Sequence, residues 1–458
     1  MKKLVVLMAL MVSIVSCKQE AKVDYVLFSG KIENPKSEKI TIYSGSTKVK
    51  EIAVNESGEF SDTLTIKSGY YSFAHAERSS FYASPGDEIV LAVNTAEFDE
   101  TVTYSGYGSE KSNYMAAKYL TDEKMSGDFA KVYAMEETAF LEKVNEIKDA
   151  KVKLLSDTQK IDSNFRSLET KNLDFEHLLN LQRYQVYHEY YAKKDGFVPS
   201  KSFLKVLEDV DYDNAEYYAN LSNYQSLVKG HYSTKLKGSN NPSEVFDEIS
   251  KNASAQLKDD LAASLKFDVA PNNLHNEAYY NGLMALSSDD EFKVYLTDKY
   301  SKVKLLAKGM PSPVFNDYEN HSGGTTSLSD LKGKYVYIDI WATWCGPCLR
   351  EVPDLKRVES EYHNKNIEFV SVSVDRGSDY EKWTKMVNDK ELGGEQLFAD
   401  RTFKGGAIAK IPTKFIRDYA IEGIPRFILI DPEGNIVSGD APRPSNPKLV
   451  AMFEELGI

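Results

Sequence analysis

The chain has 458 residues, 42% of them apolar, and a formal net charge of −13. That length calls for more than one domain with sizeable cores, and the acidic balance disfavours nucleic acid as a partner and offers no basic patch for anionic lipid. With only 3 cysteines there is no disulfide framework, so any cysteine chemistry has to come from one small group.

The first residues combine a basic Met1-Lys2-Lys3 with an apolar stretch over 4–12, and Ile14-Val15-Ser16-Cys17 resembles a bacterial lipobox. The apolar run is too short for a membrane-spanning helix. Residues 1–17 are therefore expected to be a lipoprotein signal peptide, with the lipid attached at Cys17 and residues 18–24 as a tether. An ordinary secretory peptide with a stray cysteine is the competing reading.

Residues 25–108 alternate in the manner of short strands at 25–32, 39–43, 60–66, 70–76 and 88–93, with Pro85-Gly-Asp87 as a turn. This predicts an all-β, sandwich-like domain. Gly106-Tyr107-Gly108 lacks the lysine and third glycine of a phosphate loop and reads as a linker. Residues 109–305 have helical periodicity, clearest at 129–150, 173–192 and 244–265, and Asn240-Asn-Pro-Ser243 is a helix start. Tyr184, Tyr187, Tyr190, Tyr191, Tyr217 and Tyr218 cluster in this α-helical region; packing of amphipathic faces explains them more simply than a binding groove. His177, His188 and His231 lack paired metal-ligand spacing, and no metal or cofactor is expected.

Residues 306–458 alternate between strands and helices, predicting an α/β sheet covered on both faces. Strands are expected at 335–341, 368–374, 426–430 and 435–438, and helices at 346–364, 380–390, about 414–419 and 447–456. Between the first strand and helix stands Trp344-Cys345-Gly346-Pro347-Cys348. A thiol opening a helix meets unpaired N–H groups and the positive end of the dipole, which favours its thiolate. Cys345 is accordingly the expected nucleophile. Pro347 suits the first helical turn, and Cys348, beneath Cys345 and less exposed, is the expected resolving thiol. A structural disulfide and half of a zinc site are the alternatives, but zinc needs four ligands and Cys17 is distant in sequence.

The run Val336-Tyr-Ile-Asp-Ile-Trp-Ala-Thr-Trp-Cys-Gly-Pro-Cys348 resembles the active-site segment of thioredoxins, specifically the TlpA/ResA-like branch. Gly309-Met-Pro-Ser-Pro-Val-Phe315, Leu328-Ser-Asp-Leu-Lys-Gly-Lys334 and Gly423-Ile-Pro-Arg-Phe-Ile-Leu-Ile-Asp-Pro-Glu-Gly-Asn435 support the resemblance, which covers the last third of the chain. The β region is similar, more weakly, to a domain that precedes thioredoxin modules in Bacteroidota lipoproteins.

The resemblance implies a redox-active Cys345–Cys348 disulfide whose chemistry is tuned by Gly346 and Pro347. It also implies a cis Ile424–Pro425 bond beside the cysteines, with Ile424 offering its backbone to a substrate strand; a trans proline entering the strand is the alternative. Asp339 matches a buried acid, on the face of Tyr337 and Trp341, that takes the proton from Cys348; a half-exposed strand-end aspartate is the alternative. Glu351 matches a second acid near the site, against a solvated helix glutamate. Trp344, ahead of Trp341, is expected to shape the substrate face.

The implied activity is thiol-disulfide exchange, in the reducing direction because Gly-Pro is the thioredoxin pairing. Partners implied are exported proteins carrying disulfides, apocytochromes during cytochrome c maturation among them, and a membrane thiol electron donor. The implied location is the cell envelope, lipid-anchored and facing the periplasm. Two other readings stay open: a binding or assembly protein whose thioredoxin module docks partners, and a thiol oxidant or isomerase. Ala342 stands where a thiol peroxidase would carry threonine.

Overall fold

A computed structural model describes residues 23–194, 196–399 and 413–458. The signal-peptide reading, Cys17 and most of the 18–24 tether lie outside the described residues. The chain divides into two compact units, between His231 and Tyr232.

The first unit opens with eight strands: β1 (Val26–Glu33), β2 (Lys39–Ser44), β3 (Thr47–Ala53), β4 (Glu59–Leu64), β5 (Gly69–His75), β6 (Glu77–Ala83), β7 (Glu88–Asn94) and, after the short helix α1 (Phe98–Thr101), β8 (Thr103–Ser105). They form two four-stranded sheets, ordered β4-β1-β7-β8 and β3-β2-β5-β6. Apolar side chains from both, including Phe28, Ile42, Phe73, Phe81 and Leu91, build one core, in which the Phe28 and Phe81 rings stack at 5.0 Å. This is the expected sandwich-like domain with three strands that periodicity missed. β3 is a largely exposed edge strand of charged residues, so no apolar alternation marks it. β6 follows β5 through Ala76, which adopts φ +65 without the glycine or asparagine that signals such a turn. β8 is only three residues long. The Gly106–Gly108 turn leads from it into the next helix; a Cβ at Gly106 would lie 2.0 Å from the Glu88 carbonyl oxygen, so close backbone approach accounts for that glycine.

Seven helices follow before the unit ends: α2 (Ser109–Ser126), α3 (Phe129–Tyr133), α4 (Glu137–Asp157), α5 (Ser163–Tyr191), α6 (Lys201–Glu208), α7 (Ala215–Asn220) and α8 (Ser222–Gly238), within which the division falls. The helix expected over 129–150 is broken between α3 and α4. Two α5 side chains bind carbonyls at the break: the Tyr184 hydroxyl donates to Met135 O at 2.8 Å, and His188 Nδ1 lies 2.9 Å from Tyr133 O. Tyr184 and Tyr187 thus belong to an aromatic core with Tyr133, Phe140 and Phe203, and Tyr218 is also buried. Packing accounts for Tyr184, Tyr187 and Tyr218, whereas Tyr190 is 65% exposed.

Glu169 of α5 is fully buried and joins sheet to helices. It accepts from Tyr70 of β5 at 2.6 Å, from Tyr114 and Lys118 of α2 at 3.2 and 2.6 Å, and from Asn172 at 3.0 Å.

The second unit begins with α9 (Pro242–Asn252), α10 (Ala255–Leu265), α11 (Asn276–Leu286) and α12 (Asp290–Lys304). The helix expected over 244–265 is two, because Ser254 caps α10 by accepting from Leu257 N–H. The α/β fold after them comprises β9 (Tyr318–Asn320), β10 (Thr325–Thr326), β11 (Tyr335–Trp341), α13 (Gly346–Tyr362), β12 (Ile367–Ser373), α14 (Tyr380–Asp389), β13 (Glu395–Phe398), α15 (Lys414–Asp418), β14 (Arg426–Ile430), β15 (Ile436–Ser438) and α16 (Lys448–Glu455). Its mixed sheet is ordered β10-β9-β13-β12-β11-β14-β15, with β11 parallel to β12 and antiparallel to β14. Val336, Ile338 and Ile340 pack on one face with Trp383 and Phe415, and Tyr337 on the other with Leu355, Val358 and Phe453. Strands β9, β10 and β13, of two to four residues, were too short to show a period.

Replacing Lys118 by Met strands the buried Glu169 carboxylate and should cost about 3–5 kcal/mol in urea denaturation. The Lys118→Met/Glu169→Gln pair should recover part of that loss, because the amide keeps hydrogen bonds without a charge.

Candidate active site

β11 runs through the centre of the sheet and ends at Trp341; the chain then turns and α13 begins. Cys345 is the N-cap residue of α13, with extended backbone, and its Sγ accepts the Cys348 N–H at 3.1 Å. Gly346 and Pro347 occupy the first turn, where proline's missing donor costs nothing. Cys345 and Cys348 are joined in a disulfide. The two do not differ in exposure as expected: Cys345 is 4% and Cys348 5% exposed. In the disulfide both sulfurs tuck into the apolar cluster of Trp341, Ala342 and Phe415, and Trp344 (61% exposed), Gly346 and Pro347 form the outer surface of the turn.

The turn is held from below by Asp375, fully buried just after β12. Its carboxylate accepts from Thr343 N–H at 2.9 Å, from Thr343 Oγ1 at 2.8 Å and from Ser373 Oγ at 2.8 Å. Sequence reasoning passed over Asp375; its one signal was an acid directly after the apolar run of β12.

Asp339 is buried (9% exposed) in the middle of β11, paired across the sheet with Ser371 on one side and Phe427 on the other. A half-exposed strand-end position is thereby ruled out. Asp339 and Cys348 line one small cavity of about 10 Å³, together with Trp341, Ser371, Gln396 and Glu359 of α13. Asp339 Oδ1, Trp341 Nε1 and Gln396 Oε1 are buried there without a protein hydrogen-bond partner among the described residues. Burial, reinforced by the Glu351 and Glu359 carboxylates, pushes Asp339 up to about 8. Burial likewise raises Glu359 to about 7, against the pull of Lys356. Glu359 was not found from sequence, because a glutamate on a charged helix carries no mark of which way it faces.

Glu351, one turn beyond Cys348, is also buried rather than solvated. Its carboxylate accepts from the Ser445 N–H and hydroxyl, both at 3.1 Å, and Arg443 Nη1 lies 3.7 Å away.

The Ile424–Pro425 peptide bond is cis. Ile424 packs against the apolar cluster that holds both cysteines, and pairing of β14 with β11 starts two residues later, at Arg426. The structure therefore brings Cys345, Cys348, Asp339, Glu351, Trp341 and the cis-proline loop to one end of the sheet.

The family model described as Redoxin matches residues 307–452. The chain is 31% identical over 156 residues to the thiol-disulfide oxidoreductase ResA of Bacillus thuringiensis, spanning 34% of this chain and 81% of that protein. It is 28% identical, over the same shares, to the ResA of Bacillus cereus. Among solved structures, the thioredoxin domain of a thiol-disulfide oxidoreductase from Bacteroides vulgatus is 29% identical, covering 33% of this chain and 97% of that one with a TM-score of 0.28. A thiol-disulfide oxidoreductase from Bacteroides fragilis is 27% identical, covering 32% and 98% with a TM-score of 0.27. The shared segment holds the whole cysteine turn and its buried acid, and on that sequence likeness the chain belongs to the TlpA/ResA-like thiol-disulfide oxidoreductases of the thioredoxin family.

Proposed function

We propose that this oxidoreductase is a lipid-anchored reductase of the cell envelope that reduces disulfides of exported proteins through Cys345 and Cys348. The observation that carries the reading is the small cavity shared by Cys348 and the buried Asp339, beneath a helix-capping Cys345. In the reduced form the helix N-terminus favours the Cys345 thiolate. That thiolate attacks one sulfur of a substrate disulfide, forming the Cys345–substrate mixed disulfide and expelling the first substrate thiolate. In its ionised form, a minor but accessible fraction at neutral pH because its proton is lost near pH 8, Asp339 takes the proton from Cys348, and the resulting thiolate attacks Cys345 Sγ. The Cys345–Cys348 disulfide closes, the second substrate thiolate leaves, and two electrons have passed to the substrate.

Asp339 suits the proton step because burial keeps its proton affinity near neutrality. Glu351, close enough to raise Asp339 further, is assigned a tuning role, and Gly346 and Pro347 shape the turn. Trp344 and the Ile424–Pro425 edge are assigned to substrate contact; exposure of the indole and the position of Ile424 before the β14 ladder support this. Residues 1–17 support a lipid on Cys17 and a periplasm-facing location. A membrane thiol donor would then return the chain to the dithiol form.

The reduction potential of the Cys345/Cys348 pair, measured by glutathione or dithiothreitol equilibration on the chain from Lys18 onward, should lie near thioredoxin's value of about −270 mV. Cys348→Ser should trap mixed disulfides with substrates. A potential near −120 mV would make the protein an oxidant, and absence of exchange would leave a docking protein.

The state of Asp339 also sets a pH dependence. An unfolded aspartate ionises near pH 3.9, whereas Asp339 in the fold holds its proton up to about pH 8. Between these values the folded state binds more protons, so stability falls as pH rises, by a total on the order of 5 kcal/mol. Urea unfolding of the disulfide form should show this decline, and Asp339→Asn should reduce it to the part that the raised Glu359 contributes below about pH 7, and be more stable than the parent at pH 8.5. The same variant should slow release of the mixed disulfide by roughly 100-fold at neutral pH, read by stopped-flow fluorescence.

A further inference from the structure

The loop that carries the cis peptide bond is held on one flank directly by α12 and on the other indirectly, through Asp440, which the connection between α10 and α11 contacts. On the near side, Glu422 Oε2 lies 2.6 Å from Lys299 Nζ of α12, and Tyr295 of the same helix donates its hydroxyl to Glu422 Oε1. The Lys299 side chain is only 6% exposed; it donates a second hydrogen bond to the Lys266 carbonyl at 2.9 Å, and its ammonium stands 5.3 Å from the centre of the Phe267 ring. On the far side, Arg426 Nη1 makes an ionic contact with Asp440 Oδ1 at 3.0 Å. Asn272, in the connection from α10 to α11, donates through Nδ2 to the Asp440 carbonyl and, at 3.1 Å, to Ser438 Oγ. The approach is close, since a Cβ on Gly439 would lie 2.8 Å from Pro271.

Helices that merely docked on the α/β fold would need only apolar contacts. Here a lysine has been withdrawn from water, at a desolvation cost that ion pairing seldom exceeds, and its carboxylate partner is three residues before Pro425. With the lysine buried and Glu422 at the surface, the pair ties α12 to the loop in one register. The geometry points to Lys299 and Asn272 as positioning residues that hold the Ile424–Pro425 edge against the cysteine turn. The helices α10–α12 thereby set how a protein substrate lies over the dithiol. This inference rests on the reductase reading, in which the Ile424 backbone receives the substrate strand.

The full chain with Lys299→Met, with Glu422→Gln, with both, and with Asn272→Ala would be assayed on insulin and on the small disulfide 5,5′-dithiobis(2-nitrobenzoate). Each variant should lose roughly tenfold in kcat/KM for insulin, mostly through KM, because misplacement of a bound strand weakens protein substrates selectively. The small disulfide needs no strand pairing and should react within about twofold of the parent, at an unchanged reduction potential. The Lys299→Met/Glu422→Gln pair should be no worse than either single variant, as for two halves of one contact. Equal losses on both substrates, additive losses in the pair, or no loss would overturn the inference. If Lys299→Met does not fold, Tyr295→Phe removes one hydroxyl from Glu422 and should still lower insulin turnover selectively, by about threefold; no selective loss would again overturn it. A parent chain that reduced neither substrate would instead sink the reductase reading itself.

Discussion

A carboxylate in the middle of a central strand is costly unless something uses it, and Asp339 is the constraint around which the α/β fold is arranged. β11 is otherwise apolar and aromatic, with Tyr337 and Trp341 on the same side as Asp339 and Ile338 and Ile340 on the other. Its neighbours in register are Ser371 and, one strand further, Gln396, so a row of polar side chains crosses three strands beneath α13. Cys348 closes that row from the helix above. The acid is thereby kept away from bulk water, and burial rather than any single neighbour is the largest cause of its raised proton affinity.

The cysteine turn depends on a second buried acid of opposite character. Asp375 is saturated with donors from Thr343 and Ser373, which fixes the chain between β11 and α13. Asp339 Oδ1 is left without a partner among the described residues, whereas the Asp375 carboxylate is satisfied by three donors. The first is suited to move a proton and the second to hold a backbone. Glu351 stands between these extremes, buried but tied to the Ser445 end of the loop before α16.

The same economy of buried charge recurs outside the redox fold. In the first unit Glu169 gathers two tyrosines, a lysine and an asparagine from one strand and two helices, a network that specifies a single docking of helices on the sandwich. In the second unit the buried Lys299 of α12 pairs with the more exposed Glu422 of the cis-proline loop. No helix among the described residues is long and apolar enough to cross a membrane.

Sequence alone determined the parts whose signal is local. The strand over Tyr335–Trp341, the helix opened by Cys345, the proline in its first turn and the cysteine spacing are consequences of period, capping and steric rules acting over a few residues. The cis state of Ile424–Pro425 was legible only through family resemblance, since local sequence favours trans. Tertiary structure alone decided what depends on which residues meet. Short strands such as β8 and β13 exist because a neighbouring strand pairs with them, not because of their own pattern. The breaks between α3 and α4 and between α9 and α10 follow from side chains that bind the freed backbone groups. The inward turn of Glu359, the saturation of Asp375 and the grip of Lys299 on Glu422 all join residues distant in sequence. A charged residue on a helix reads the same whether it faces water or a buried partner, and only the packed fold distinguishes the two.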